Sequence, residues 1–160
     1  MQESDSKSRE ILPVTRTKKE ARQYYDRISR IYDYLTGVFE RRFSERALER
    51  LAIGEGESVL EIGFGSGYCL KKIAESVGEN GKAHGIDISP GMLGVTRKRL
   101  SRARLTNRVQ LYLGDAANLP YSDSAFDAVF MSFTLELFDT GDIPPVLAEV
   151  LRVLKPGGRL

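Results

Sequence analysis

The stretch Val59-Leu60-Glu61-Ile62-Gly63-Phe64-Gly65-Ser66-Gly67-Tyr68-Cys69-Leu70 constrains this chain more than any other. Its first half is a short apolar run with a polar tip, the pattern of a buried parallel strand. Three glycines at alternate positions follow, and a helical pattern begins after them. Glycine has no Cβ, so the backbone can turn tightly and a ligand can lie against the main chain. The helix after it directs unpaired N–H groups, and the positive end of its dipole, into the turn. Strand, turn and helix N-terminus together form a seat for an anionic group of a cofactor. The competing reading is a glycine turn that joins strand to helix and holds nothing.

Glycine spacing discriminates between cofactors. A dinucleotide site has G-x-G-x-x-G, whereas the third glycine here arrives one residue early, at Gly67, and Tyr68 holds the dinucleotide position. Glu61 puts a carboxylate at the strand tip, where it repels a pyrophosphate and favours a ligand carrying an ammonium group. E-x-G-x-G-x-G after a strand resembles the glycine turn of the class I S-adenosylmethionine (SAM)-dependent methyltransferases. That resemblance implies SAM, which has an ammonium, a carboxylate for the helix end and no phosphate. It also implies Glu61, Gly63, Gly65 and Gly67 as part of its cradle.

The chain has 160 residues, 41% of them hydrophobic and 29% charged. That is one domain's worth of sequence with an ordinary soluble-protein balance. A net charge of +2 carries no argument for nucleic acid as a partner. No run approaches the ~20 apolar residues of a membrane span, and residues 1–19 lack the apolar centre of a signal peptide. A single cysteine, Cys69, excludes an internal disulfide and fits a reducing cytoplasmic setting. Early in a core helix, it reads as a packed small hydrophobe rather than a reactive thiol. The single histidine, His84, has no Cys or His neighbour in sequence, so no metal site is expected.

Residues 1–17 show no period and are expected to form a mobile tail. Residues 18–53 are expected to form a helical lid, and residues 54–160 an α/β core. Ala21, Tyr24, Tyr25, Ile28, Ile31, Tyr32 and Leu35 follow one helical stripe, which Gly37 breaks. A second stripe through Val38, Phe39, Phe43, Ala47, Leu48 and Leu51 stops at Gly54 and Gly56. Tyr24, Tyr25, Tyr32 and Tyr34 offer rings with hydroxyl tips, either packed on the core or closing over a site. Beyond Ile62 strand and helix patterns alternate, which predicts a doubly wound, mostly parallel sheet. A helix is expected over 66–77, a strand over 83–88, and a helix to about 103 that opens on the N-cap and first-turn proline of Ser89-Pro90. Strands follow over 109–113 and 126–133, then a helix over 143–154. Lys155-Pro156-Gly157-Gly158 reads as a helix stop, with Arg159-Leu160 opening a fifth strand.

Asp87 closes the second strand, twenty residues after Gly67. An acidic side chain there can accept from both hydroxyls of a ribose. Ile88 and Met92, just beyond, either border an adenine or pack in the core. Gly114-Asp115-Ala116 follows the third strand, where a ligand-facing loop lies if ligands bind at the carboxyl ends of strands. There Asp115 can accept an adenine amino group and the Ala116 N–H can donate to a ring nitrogen; a surface turn is the plainer reading.

The resemblance widens downstream. Asp115-Ala116-Ala117-Asn118-Leu119-Pro120 with Phe126-Asp127-Ala128-Val129 resembles the D-A-x-x-L-P…F-D-x-V run of the common methyltransferase domain, and Arg152-Val153-Leu154-Lys155-Pro156-Gly157-Gly158 its R-V-L-K-P-G-G segment. It covers roughly residues 20 to 160. The class I sheet has seven strands, so a further C-terminal portion is expected beyond Leu160. Tyr25-Asp26-Arg27-Ile28-Ser29-Arg30-Ile31-Tyr32-Asp33 resembles the ubiquinone/menaquinone biosynthesis C-methyltransferases and related phospholipid N-methyltransferases. This implies that Tyr25 or Tyr32 approaches the cofactor, and that the acceptor is a small or lipid-like molecule, a quinol carbon or an amine headgroup. The quinone enzymes' following Asn and downstream His and Trp are not matched; Thr36 and Gly37 stand near the Asn, and the chain has no Trp.

An acceptor that needs a general base has two candidates, Glu136 and Asp33, each otherwise a solvated carboxylate. Arg97, Lys98, Arg99, Arg102, Arg104 and Arg108 form a basic run, read as a solvated face or as a contact for anionic lipid headgroups or RNA phosphates. No aromatic residue interleaves them, which argues against stacking on single-stranded RNA. Peripheral membrane contact and self-association stay open. Two other functions compete: a nicotinamide-dependent oxidoreductase, disfavoured by Glu61 and Tyr68, and a SAM-binding protein without turnover.

Overall fold

Apolar runs that alternate with amphipathic stretches can bury both only as a parallel sheet covered by helices. The computed structural model describes residues 17–29 and 37–160 and has that architecture. Helices α1 (Lys18–Ile28) and α2 (Gly37–Leu51) precede β1 (Ser58–Ile62), α3 (Tyr68–Ser76), β2 (Lys82–Asp87), α4 (Pro90–Arg102), β3 (Val109–Leu113), β4 (Phe126–Phe130), α5 (Ile143–Val153) and β5 (Leu154–Arg159). All five strands run parallel in the order β3-β2-β1-β4-β5. Chain order reverses between β1 and β4, so the loops leaving their carboxyl ends part and open a crevice.

Successive strand residues point to opposite faces, and two apolar clusters form accordingly. Val59, Ala83 and Ala128 pack with Leu70, Ile73 and Ala74 of α3, Met92 and Leu100 of α4 and Leu51 of α2. Leu60, Ile62, Ile86 and Val129 pack with Val146, Val150 and Val153 of α5 on the other face. Helices therefore cover both faces, as a doubly wound sheet requires. No helix among the described residues is long and apolar enough to cross a membrane.

Several boundaries differ from the sequence expectation for identifiable reasons. Helix α3 begins at Tyr68 rather than residue 66, because Gly67 at φ 76° cannot join a right-handed helix. Strand β4 stops at Phe130 rather than 133, since the chain reaches a left-handed turn at Phe133 (φ 53°). Lys155-Pro156-Gly157-Gly158 lies inside β5 as an irregularity: Leu154 pairs with Phe126, and Arg159 with Ala128. Gly37 opens α2 instead of only ending the stripe before it. Thr17 is not tail but the N-cap of α1, in a reciprocal capping box with Glu20. Ile31, Tyr32, Tyr34 and Leu35 lie outside the described residues.

Polar staples hold the frame. Asp127 accepts from the Ser58 amide at 2.8 Å and from Lys155 Nζ at 2.7 Å, tying the start of β1 to β4 and β5. Arg152 donates to both carboxylate oxygens of Glu149 (2.7 and 2.8 Å) and to the carbonyls of Tyr121 and Leu119 (2.7 and 3.1 Å). Glu149 also accepts from the Leu119 amide at 2.7 Å. The Arg152 guanidinium therefore holds the Glu149 carboxyl down at about 2, below its ordinary 4.5. A carboxyl depressed in this way stabilises the fold above its ordinary value, and the contribution is lost as pH falls toward the depressed one. Urea midpoints should fall between pH 4.5 and about 2 less steeply in Glu149→Gln than in the parent.

Candidate functional site

The main cavity at the carboxyl ends of the strands has a volume of about 180 Å³. Its floor is Gly63 and Gly65 after β1, Asp87 and Ile88 at the end of β2, and Gly114, Asp115 and Ala116 after β3. Met92 of α4 and Tyr25 of α1 close two sides. Phe133, Thr134, Leu137 and Phe138, all beyond β4, close a third. Eight residues singled out from sequence therefore meet on one cavity: Tyr25, Gly63, Gly65, Asp87, Ile88, Met92, Asp115 and Ala116. Met92 is 1% exposed in the core and also stands on the cavity wall.

Glu61 faces a smaller adjoining cavity, which shares Gly63, Gly65, Ser132 and Phe133 with the main one. In register Glu61 stands beside Gly85, two residues before Asp87, so both carboxylates leave the same face of the sheet. Glu61 is 4% exposed and its Oε2 has no hydrogen-bond partner among the described residues. Burial first, and the neighbouring Asp87 second, push its carboxyl well above the ordinary carboxylate range. Across the same small cavity the hydroxyls of Ser44 and Ser132 share a 2.7 Å hydrogen bond.

Asp87 spans the turn. One carboxylate oxygen accepts from the Gly65 amide and the other from the Ser89 amide, each at 2.9 Å. Burial pushes its carboxyl above the ordinary value, and those backbone donors oppose the rise without cancelling it. Asp115 accepts from the Ala117 amide at 3.0 Å and from Lys18 Nζ at 2.8 Å, and Lys18 also reaches Asp142 at 3.2 Å. Burial would raise the Asp115 carboxyl, but the Ala117 amide and Lys18 together bring it below its ordinary value.

Gly67 lines neither cavity. Its backbone has φ +76°, and a Cβ there would lie 2.5 Å from Thr96 Cγ2. Thr96 in turn donates to the Gly65 carbonyl at 2.8 Å, so Gly67 is the closest approach of the turn to α4. Glu136 is exposed in a single turn at Leu135–Leu137 and lines neither cavity; it faces Glu40, whose carboxyl is raised by burial and then by Glu136. Tyr32 and Asp33 lie outside the described residues. Of the basic run, Arg97, Lys98, Arg102 and Arg104 are exposed, and Arg108 pairs with Glu79.

Sequence reasoning missed Lys18, Ser132, Phe133, Thr134 and Asp142. The residues after β4 had a usable signal, because the rule that ligands bind at strand carboxyl ends applies to β4 as to β1. Lys18 had none, since its partner Asp115 is 97 residues away.

Residues 59–158 match the family model described as a methyltransferase domain, and the chain belongs to that family. Demethylmenaquinone methyltransferases of Symbiobacterium thermophilum and Halalkalibacterium halodurans are 33% and 34% identical to it over 142 and 152 residues. The matches cover 86% and 92% of this chain but only 56% and 61% of those proteins, so the chain spans less than two thirds of their length. A SAM-dependent methyltransferase structure from Aquifex aeolicus superposes with a TM-score of 0.62 at 31% identity, over 71% of this chain and 58% of that one. The [4+2]-cyclase SpnF shares the fold with a TM-score of 0.78 at 24% identity, over 92% and 60%.

Gly67→Ala should destabilise the fold by about 1–2 kcal/mol from the left-handed backbone alone, and by more once the Thr96 contact is counted. Gly94→Ala, on open helix surface with nothing within 4 Å, should stabilise by about 0.5–1 kcal/mol. Urea unfolding of both variants checks the contrast.

Proposed function

We propose that the chain binds S-adenosylmethionine across the two joined cavities and transfers its methyl group to a small or lipid-like acceptor. The observation that carries the reading is Glu61. A buried carboxyl oxygen without a partner, beside a glycine turn, calls for a cationic donor from a ligand, and an ammonium is such a donor. The residues present fit the cofactor in other respects. Asp87 keeps lone pairs for ribose hydroxyls beyond those used by Gly65 and Ser89. Asp115 and Ala116 offer an acceptor and a donor to an adenine edge, with Ile88 and Met92 as its apolar neighbours.

When bound, S-adenosylmethionine supplies an electrophilic methyl on a sulfonium centre. Positive charge disappears as that methyl leaves, so a carboxylate beside the sulfur would stabilise the ground state more than the transition state. In this reading Glu61, Asp87 and Asp115 hold the ends of the cofactor, and the wall of Phe133, Leu137 and Phe138 orients the acceptor. In-line orientation alone can contribute up to about 7–11 kcal/mol. A quinol carbon is the acceptor we favour, supported by the demethylmenaquinone relatives and by that apolar wall.

Glu61 gives the binding a pH signature. Its carboxyl is raised in the free protein, and an ammonium partner favours the carboxylate, so binding must release a proton. Affinity for S-adenosylmethionine should therefore strengthen as pH rises through the free-protein value of Glu61. Calorimetry in buffers of different ionisation enthalpy should show that proton release, and Glu61→Gln should abolish it. Asp87→Ala should weaken binding by more than about tenfold, on the order of 1.4 kcal/mol. Binding of NAD in place of S-adenosylmethionine would overturn the reading. Methyl transfer to amine headgroups and not to a demethylmenaquinol would overturn the acceptor.

A further inference from the structure

Asp26 lines neither cavity, yet it is bonded into the site from behind. One of its carboxylate oxygens accepts from Ser89 Oγ at 2.5 Å and from the Gly91 amide at 2.9 Å. Ser89 is fully buried, and its Oγ also accepts from the Met92 amide at 3.1 Å, capping α4. The Ser89 amide donates to Asp87, whose other oxygen receives the Gly65 amide. A continuous path of hydrogen bonds thus runs from α1 through Ser89 to Asp87 and ends on the glycine turn. The docking is close. A Cβ on Gly91 would stand 2.8 Å from Ser29 Oγ and 3.0 Å from Asp26 Cα, so only glycine lets α1 seat here. The same seating brings Tyr25, the neighbour of Asp26, to the cavity wall.

We propose that Asp26 is a positioning residue, which through Ser89 fixes the Asp87 carboxylate and the Gly65 turn in the geometry that receives the cofactor. Ser89 Oγ caps α4 at the Met92 amide and Asp26 meets the Gly91 amide of the same first turn, so α1, the start of α4 and the Asp87 loop are joined at one point. Asp26 also accepts the hydrogen bond of the Ser89 hydroxyl, which turns the Ser89 oxygen toward the Met92 amide while the Ser89 amide donates to Asp87. The inference rests on the nucleoside-cofactor reading for its effect on affinity, but its structural half can be read without ligand.

The test joins hydrogen exchange of the unliganded protein to calorimetry with S-adenosylhomocysteine. Asp26→Ala should accelerate amide exchange at Gly65 and Ser89 by about tenfold, and Gly91→Ala, which lifts α1 without removing a carboxylate, should do the same. Lys18→Ala, which frees the other end of α1, should leave the Gly65 amide protected. In folded protein Asp26→Ala should raise the S-adenosylhomocysteine Kd about tenfold, and Asp26→Asn, which keeps an acceptor oxygen, should restore part of the loss. In an Asp87→Ala background Asp26→Ala should change Kd by less than about twofold, because the group it acts through is gone. Faster exchange confined to Gly91, or effects on Kd that multiply with Asp87→Ala, would overturn the proposal. Where Asp26→Ala fails to fold, Asp26→Asn and Gly91→Ala carry the same comparison. Accelerated exchange at Gly65 in a protein that binds no S-adenosylhomocysteine would reject the cofactor reading and leave Asp26 as the residue that orders the turn.

Discussion

A carboxylate that is 8% exposed is tolerable only if its lone pairs are met, and Asp87 meets them with the amides of Gly65 and Ser89. Two loops must bend toward one side chain for this to happen. The loop after β1 does so with left-handed backbone at Gly63 and Gly65, and a Cβ at Gly63 would fall 2.4 Å from Thr134 Cγ2. The loop after β2 does so by starting α4 at once on Ser89-Pro90. Gly65 is then pinned twice, its N–H by Asp87 and its C=O by Thr96. A backbone held at both polar groups by side chains 22 and 31 residues away is a preorganised floor rather than a flexible glycine loop.

The motifs that carried the family resemblance downstream are largely about that frame. Asp127 of the F-D-A-V run and Lys155 of the K-P-G-G segment pair with each other, and Asp127 also holds the first amide of β1. Arg152 of the same segment clamps the loop at Leu119 and Tyr121, next to the proline of the D-A-x-x-L-P run. These residues lie outside both cavities. They set the register of β4 and β5 and the path of the chain from β3 to β4, and so decide where Ser132, Phe133 and Thr134 emerge. Family resemblance there reports the scaffold, while Asp87 and Asp115 line the main cavity and Glu61 the adjoining one.

What was legible follows the range of each signal. Strand β3 stands at 109–113 as expected, and the helix start at Ser89-Pro90 is marked by its own residues. The strand-tip carboxylates were legible because a doubly wound sheet places such residues at its ligand-facing edge. Two kinds of feature were not. One is the end of an element decided by backbone handedness at a non-glycine residue, as at Phe133 (φ 53°). The other is long-range pairing. Lys18 to Asp115 and Asp26 to Ser89 join residues 97 and 63 positions apart, and no local pattern announces either. The second helical stripe predicted α2 well, yet nothing in it marks Ser44 as the partner of Ser132.

The acidic residues also bear on how such a cavity treats charge. Asp87, Asp115, Asp139 and Asp142 line it with Lys18, and Glu61 lines the adjoining one. Their states differ because their partners differ. Lys18 and the Ala117 amide keep Asp115 below its ordinary value, whereas burial raises Asp87 and raises Glu61 further. Asp115 is therefore a compensated carboxylate, while Glu61 is a buried carboxyl without such compensation among the described residues. A ligand with a cationic end would orient itself by that difference, since at Glu61 more than at Asp115 its charge would convert an unfavourable burial into a favourable pair. In the proposed reading, orientation would come from this unequal compensation along adjacent strands rather than from total charge.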